Sequence, residues 1–86
     1  MLKANTEKYI IREFENRTIV LDVETGISHI LDDVGTLMLN YTKEYNQDKV
    51  LDELCRYFND IDPLIIKKDY EKFIDELMLK EILINE

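Results

Sequence analysis

Apolar residues recur at every second position along the first third of the chain and at every third or fourth position thereafter. The first spacing belongs to strands and the second to helices. Tyr9-Ile10-Ile11-Arg12-Glu13-Phe14 is rich in aromatic and β-branched side chains and predicts a first strand. Glu15-Asn16-Arg17 is polar enough to turn. Thr18 to Val23 predicts a second strand, with Ile19, Leu21 and Val23 on one face. Glu24-Thr25-Gly26 closes a short hairpin in which Gly26 supplies the positive φ. The third strand runs from Ile27 to Leu31. Three consecutive strands joined by short turns make an antiparallel meander.

The period changes at Asp32. Val34, Leu37, Met38, Tyr41 and Tyr45 follow helical spacing, and Asp32 or Asp33 is a suitable N-cap. Asn46 caps a second helix whose apolar face is Val50, Leu51, Leu54 and Phe58, and Asp48 complements its dipole. Asn59-Asp60-Ile61 is a loop. Asp62-Pro63 is a start signal, a cap followed by proline at the first helical position. Ile66, Tyr70, Phe73, Ile74 and Leu77 form the inward stripe of the third helix, while Lys68, Lys72 and Asp75 point to water. Asp69, Glu76 and Lys80 flank the stripe on one side and Lys67 on the other. Glu81 to Ile84 either ends this helix or adds a terminal strand. The expected fold is α+β and winged helix-turn-helix-like, a three-stranded antiparallel sheet followed by three helices (βββααα). It forms a single domain over residues 1–86, with its core in roughly 9–84.

Composition narrows the function classes. Nineteen acidic residues against eleven basic ones leave a net charge of −8. Nucleic-acid binding draws on counterion release to a basic surface, so this balance argues against it, as it does against anionic membranes. A peptide with basic residues is the charge-matched partner. Apolar residues make up 45% of the chain, too many for a disordered one. No apolar run approaches the roughly 20 residues that span a bilayer. The polar start, Met1 to Glu7, lacks the apolar middle of a secretion signal. A lone cysteine, Cys55, fits a reducing compartment. The expected location is the cytoplasm.

Little here points to catalysis. His29 is the single histidine and has no second ligand at metal-binding spacing, so it reads as a half-buried strand residue. Cys55, next to Leu54 and near Phe58, reads as a small buried apolar residue. The acid pairs Asp32-Asp33, Asp52-Glu53 and Asp75-Glu76 are explained by capping and by solvated helix surface. Gly26 and Gly35 are too far apart to cradle a phosphate. No catalytic residue, metal site or cofactor is expected.

The specific part of the chain is Gly26, then Leu31-Asp32-Asp33-Val34-Gly35, then Asp62-Pro63 with a last helix carrying Asp69, Phe73 and Leu77. In that order and spacing, these residues resemble the PqqD-like family, also called RiPP recognition elements, over roughly residues 9–84. Asp32 stands where the family usually has asparagine, and Val34 where threonine is frequent. Ser28 and His29 occupy positions that are often aromatic.

The resemblance implies a non-catalytic peptide chaperone that captures the leader of a ribosomally made precursor peptide and presents it to a maturation enzyme. That enzyme would be a radical SAM maturase or a lasso-peptide leader peptidase and cyclase. The leader would add as a fourth strand beside Ile27, Ser28, His29, Ile30 and Leu31. Its side chains would enter a groove walled by Ile66, Asp69, Tyr70 and Phe73, with Asp69 meeting a basic leader residue. The rival readings are a winged-helix DNA-binding regulator and a generic protein-interaction adaptor. The first is weakened by Asp69, Glu71, Asp75 and Glu76, which interrupt the lysines of the third helix.

Overall fold

The computed structural model describes residues 1–85; Glu86, the last residue of the expected domain, lies outside the described residues. The elements in chain order are β1 (Leu2–Ala4), β2 (Tyr9–Phe14), β3 (Arg17–Asp22), β4 (Ser28–Leu31), α1 (Asp33–Glu44), α2 (Gln47–Tyr57), α3 (Pro63–Leu79) and β5 (Leu83–Asn85). The fold is α+β with three helices and antiparallel sheets. The expected βββααα run is present, but it is bracketed by a further strand pair: the terminal strand left open for residues 81–84 is β5, and β1 was not expected. β1 and β5 form a two-stranded sheet, with Leu2 opposite Asn85 and Ala4 opposite Leu83.

The meander has the order β2-β3-β4, so β2 and β4 are its edges. Its first turn is tight. Phe14 faces Arg17 across Glu15 and Asn16, which both take positive φ (50° and 63°), as a two-residue hairpin loop of the primed type requires. The second turn is held by Asp22, whose carboxylate accepts the N–H groups of Glu24 (2.9 Å) and Thr25 (3.2 Å). These bonds hold the Asp22 pKa below the usual carboxylate range. Gly26 sits at φ +76° and its N–H closes the loop on the Asp22 carbonyl (2.9 Å).

The inward face of the meander differs from a simple apolar alternation. On β3 it is Thr18 and Val20 that are buried, and Ile19 and Val23 of the expected apolar face are exposed to solvent. α1 is shifted in the same way. Its buried residues are Gly35, Thr36, Met38, Leu39 and Thr42, whereas Val34 is exposed and Leu37, Tyr41 and Tyr45 are half-buried. The cause is a pair of buried hydroxyl contacts that let threonine replace an aliphatic side chain in the core. Thr18 Oγ1 bonds Thr36 Oγ1 at 2.8 Å. Thr42 Oγ1 donates to the Met38 carbonyl (2.7 Å) and lies 2.7 Å from the Tyr70 hydroxyl. Thr42 has one proton and spends it on Met38, so the Tyr70 hydroxyl is the donor in the second contact.

The three helix starts follow the sequence. Asp32 caps α1 through Gly35 N–H (2.8 Å), Asn46 caps α2 through Lys49 N–H (2.9 Å), and Asp62 caps α3 through Leu64 N–H (2.9 Å). The end of α3 is a Schellman motif. Ile82 N–H reaches the Leu77 carbonyl (2.9 Å), Glu81 N–H reaches that of Met78 (3.0 Å), and Glu81 adopts φ +59°. This turn buries Ile82 and sends Leu83–Asn85 back as β5 to meet β1. The core joins Leu2, Tyr9, Val20, Leu39, Val50, Leu54, Tyr70, Leu77, Ile82 and Leu83, so both termini belong to it.

Candidate functional site

The ladder between β3 and β4 decides which groups β4 offers to a partner. Asp22 N–H donates to the Ile27 carbonyl (2.9 Å), so that pair is hydrogen-bonded. Bonded and non-bonded pairs alternate along an antiparallel ladder. Val20–His29 and Thr18–Leu31 are then bonded pairs, and Leu21–Ser28 and Ile19–Ile30 are not. The backbone N–H and C=O groups of Ser28 and Ile30 therefore face away from β3, toward the open flank. Among the described residues, no other backbone hydrogen bond reaches them. The opposite edge, β2, is partly closed, because Tyr9 N–H donates to the Asn5 carbonyl (3.1 Å).

Side chains on β4 divide by face. His29 and Leu31 point inward and are half-buried; Ile30 points outward. Ile27 precedes the strand and is exposed. Leu31 lies next to the start of α1, where Gly35 allows a close approach. A Cβ built on Gly35 would stand 3.2 Å from Leu31 Cβ, 3.3 Å from Asp32 Oδ1 and 3.5 Å from Phe73 Cε1. Leu31, Gly35 and Phe73 thus converge, so the Phe73 ring of α3 reaches the point where β4 passes into α1. At the other end, the Tyr9 hydroxyl donates to the Lys80 carbonyl (2.6 Å) and ties the last turn of α3 to the sheet.

The expected wall residues separate into two groups. Ile66 and Tyr70 are 4% and 1% exposed, and both belong to the core stripe with Ile74 and Leu77. Tyr70 is turned toward Thr42 on α1, and burial pushes its pKa up. These two side chains have almost no surface to give a groove. Phe73 is half-buried and Asp69 exposed. With a helical advance of about 100° per residue, Asp69 and Glu76 lie about 40–60° beyond Phe73 on the side away from the core stripe. Neither carboxylate is in an ion pair among the described residues, whose pairs are Lys49–Glu53, Arg56–Glu53 and Lys67–Glu71. Lys80 shares that flank. Ile65, 54% exposed, borders it one turn earlier and was not anticipated. An isoleucine beside the polar flank of an amphipathic helix was the available signal.

A different solvent-open concavity, lined by Glu13, Thr36, Leu37, Asn40 and Phe58, lies between the first hairpin and the α1–α2 pair. Among the described residues there is no cluster of three His, Cys, Asp or Glu side chains fit to hold a metal ion. Cys55 is free and half-buried on α2, packed against the core. No helix among the described residues is long and apolar enough to cross a membrane.

Comparison with known proteins gives this arrangement a family. The sequence profile described as coenzyme PQQ synthesis protein D (PqqD) matches residues 17–83, from the start of β3 to the start of β5. The chain belongs to the PqqD family. Among solved structures, this PqqD-family chain is similar to TbiB1 in complex with the TbiA(beta) leader peptide. The TM-score is 0.83 at 20% identity, covering 98% of this chain and 96% of the other. That likeness extends over β1 and β5 as well as the profile-matched region. No curated protein matches the chain.

Proposed function

We propose that this PqqD-family protein is a leader-peptide-binding module, a winged helix-turn-helix-like peptide chaperone without catalysis of its own. It captures a ribosomally made precursor by strand addition to β4 and presents it to a maturation enzyme, either a radical SAM maturase or a leader peptidase and cyclase. The observation that carries this reading is the open flank of β4, where Ser28 and Ile30 present two N–H donors and two C=O acceptors without backbone partners among the described residues. An extended peptide pairs with such groups whatever its sequence. Membership of the PqqD family and the likeness to a leader-bound structure both support it.

Selectivity would come from alternate leader side chains entering between β4 and α3. The floor is formed by His29 and Leu31 on β4 with Ile27 just before it, and the wall by Phe73, with Asp69 and Glu76 available to a basic leader residue. Ile66 and Tyr70 act from behind, by fixing the seating of α3. Ordering a flexible leader costs entropy, so two or three apolar anchors must be buried to offset it.

A proline at position 30 tests the reading. Ile30→Pro removes one outward N–H and leaves the β3–β4 ladder bonds untouched, and edge strands tolerate proline. Anisotropy of a fluorescent synthetic leader peptide that binds the wild-type chain should report at least about tenfold weaker binding to Ile30→Pro, with unchanged circular dichroism. Equal affinity in the variant would exclude strand addition at this edge.

A further inference from the structure

The sheet has a second face that the leader groove does not use. On the outward side of β2, β3 and β4 stand Ile10, Arg12, Phe14, Arg17, Ile19, Leu21, Ser28 and Ile30, by the register of the three strands. Phe14 and Ile30 are 68% and 67% exposed, and Ile19 and Ile10 are 43% and 42% exposed. Ile19 and Ile30 are direct cross-strand partners, so their side chains form one apolar ridge. Contiguous exposed apolar surface of this kind marks an interaction site more often than scattered single residues do.

The charge of this face is opposite to that of the molecule. The chain carries −8 overall, yet no outward position on the three strands is acidic. Two of its three arginines, Arg12 and Arg17, lie there, and neither is ion-paired among the described residues. Glu15, at the hairpin tip, borders the depression lined by Phe14, Arg17, Ile19 and Ile30. Arg12 donates one hydrogen bond to the Ile11 carbonyl (3.0 Å), and an apolar ridge flanked by two arginines without carboxylate partners among the described residues complements an apolar protein surface edged with carboxylates. It does not suit a second copy of this chain, since self-packing would set arginine against arginine and one acidic body against another.

We propose that this outward face docks the enzyme that receives the leader, through an apolar, carboxylate-edged surface on that enzyme. This rests on the leader-binding reading and deepens it. A leader added to β4 extends the same sheet, so its outward-pointing side chains lie beside Ile30 and enlarge the docking face. The enzyme thereby meets a larger surface on the loaded protein than on the empty one.

The test uses the full chain, the leader peptide, and a purified enzyme that modifies the precursor carrying that leader. Enzyme binding is measured by calorimetry with and without saturating leader, for wild type, R12E/R17E and Ile19→Asp. Wild type should bind the enzyme more tightly when loaded, and both variants should lose about tenfold or more in enzyme affinity while fluorescent-leader affinity stays within about twofold. Variants that bind the enzyme as wild type does would overturn the docking face and leave the leader reading standing. A wild-type dimer in sedimentation that Ile19→Asp dissolves would overturn it in favour of a second copy. Absence of leader binding by wild type would bring down the leader reading and this proposal together.

Discussion

The buried hydroxyl relay from Tyr70 through Thr42 to the Met38 carbonyl explains why a tyrosine with a polar tip can occupy the centre of the core. Its two members are not equivalent. Tyr70→Phe removes a donor and leaves Thr42 still bonded to Met38, a loss of about 1 kcal/mol. Thr42→Val strands a buried hydroxyl with no acceptor and should cost more, about 1–3 kcal/mol, in urea unfolding. A smaller loss for Thr42→Val would contradict the assigned donor direction. Neither threonine contact was legible in the sequence, where helical spacing placed Val34 and Tyr41 inward. Periodicity counts apolar residues and cannot see that two hydroxyls satisfy each other across a gap in sequence. The same limit explains Ile66 and Tyr70: spacing put them on one stripe with Phe73, but only packing reveals which edge of the stripe stays open.

Asp22 gives a pH dependence at the turn before β4. Its carboxylate accepts two backbone N–H groups, and its pKa is lowered mainly by those bonds. A depressed folded pKa means the stabilisation is present above the unfolded carboxylate pKa and is lost as pH falls through the folded one. The Glu24 and Thr25 amide chemical shifts should therefore stay constant at neutral pH and move only in acid, together with the Asp22 carboxylate and below the usual carboxylate range, in an NMR pH titration. Asp22→Asn should remove that acid transition. An Asp22 titration at an ordinary carboxylate pH would refute the assignment.

At the scale of elements, caps and turns were the readable part. Asp32, Asn46 and Asp62 begin their helices where the sequence places them, because capping is a local contest between a side-chain oxygen and three nearby N–H groups. The β1–β5 pair was not readable. Each strand has three residues, and the partners are about eighty positions apart, so neither carries a period of its own. The Schellman turn that creates β5 lacks the usual glycine, with Glu81 in the left-handed region instead. Glu81→Gly relieves that conformation and should raise stability by about 0.5–1 kcal/mol, seen as a higher denaturation midpoint. A lower midpoint would mean that the Glu81 side chain, not the backbone, holds the turn.

For the whole molecule, the proposed function uses separate surfaces. The interior seats α3, the flank of β4 is the proposed site of strand addition, and the outward sheet face carries Arg12 and Arg17, neither ion-paired among the described residues. The family was legible in the sequence because several of its signature residues, Gly26, Asp32 and Asp62-Pro63, sit at a turn and at helix starts. Which backbone groups stand free was not, since that depends on the ladder phase set at the Asp22–Ile27 pair. That phase supplies the most direct measurement. Hydrogen exchange followed by NMR, with and without leader peptide, should reveal new protection at the amides of Ser28 and Ile30, with His29 and Leu31 already protected by β3. Protection gained along β2 instead, or none anywhere on β4 at saturating leader, would contradict capture by strand addition.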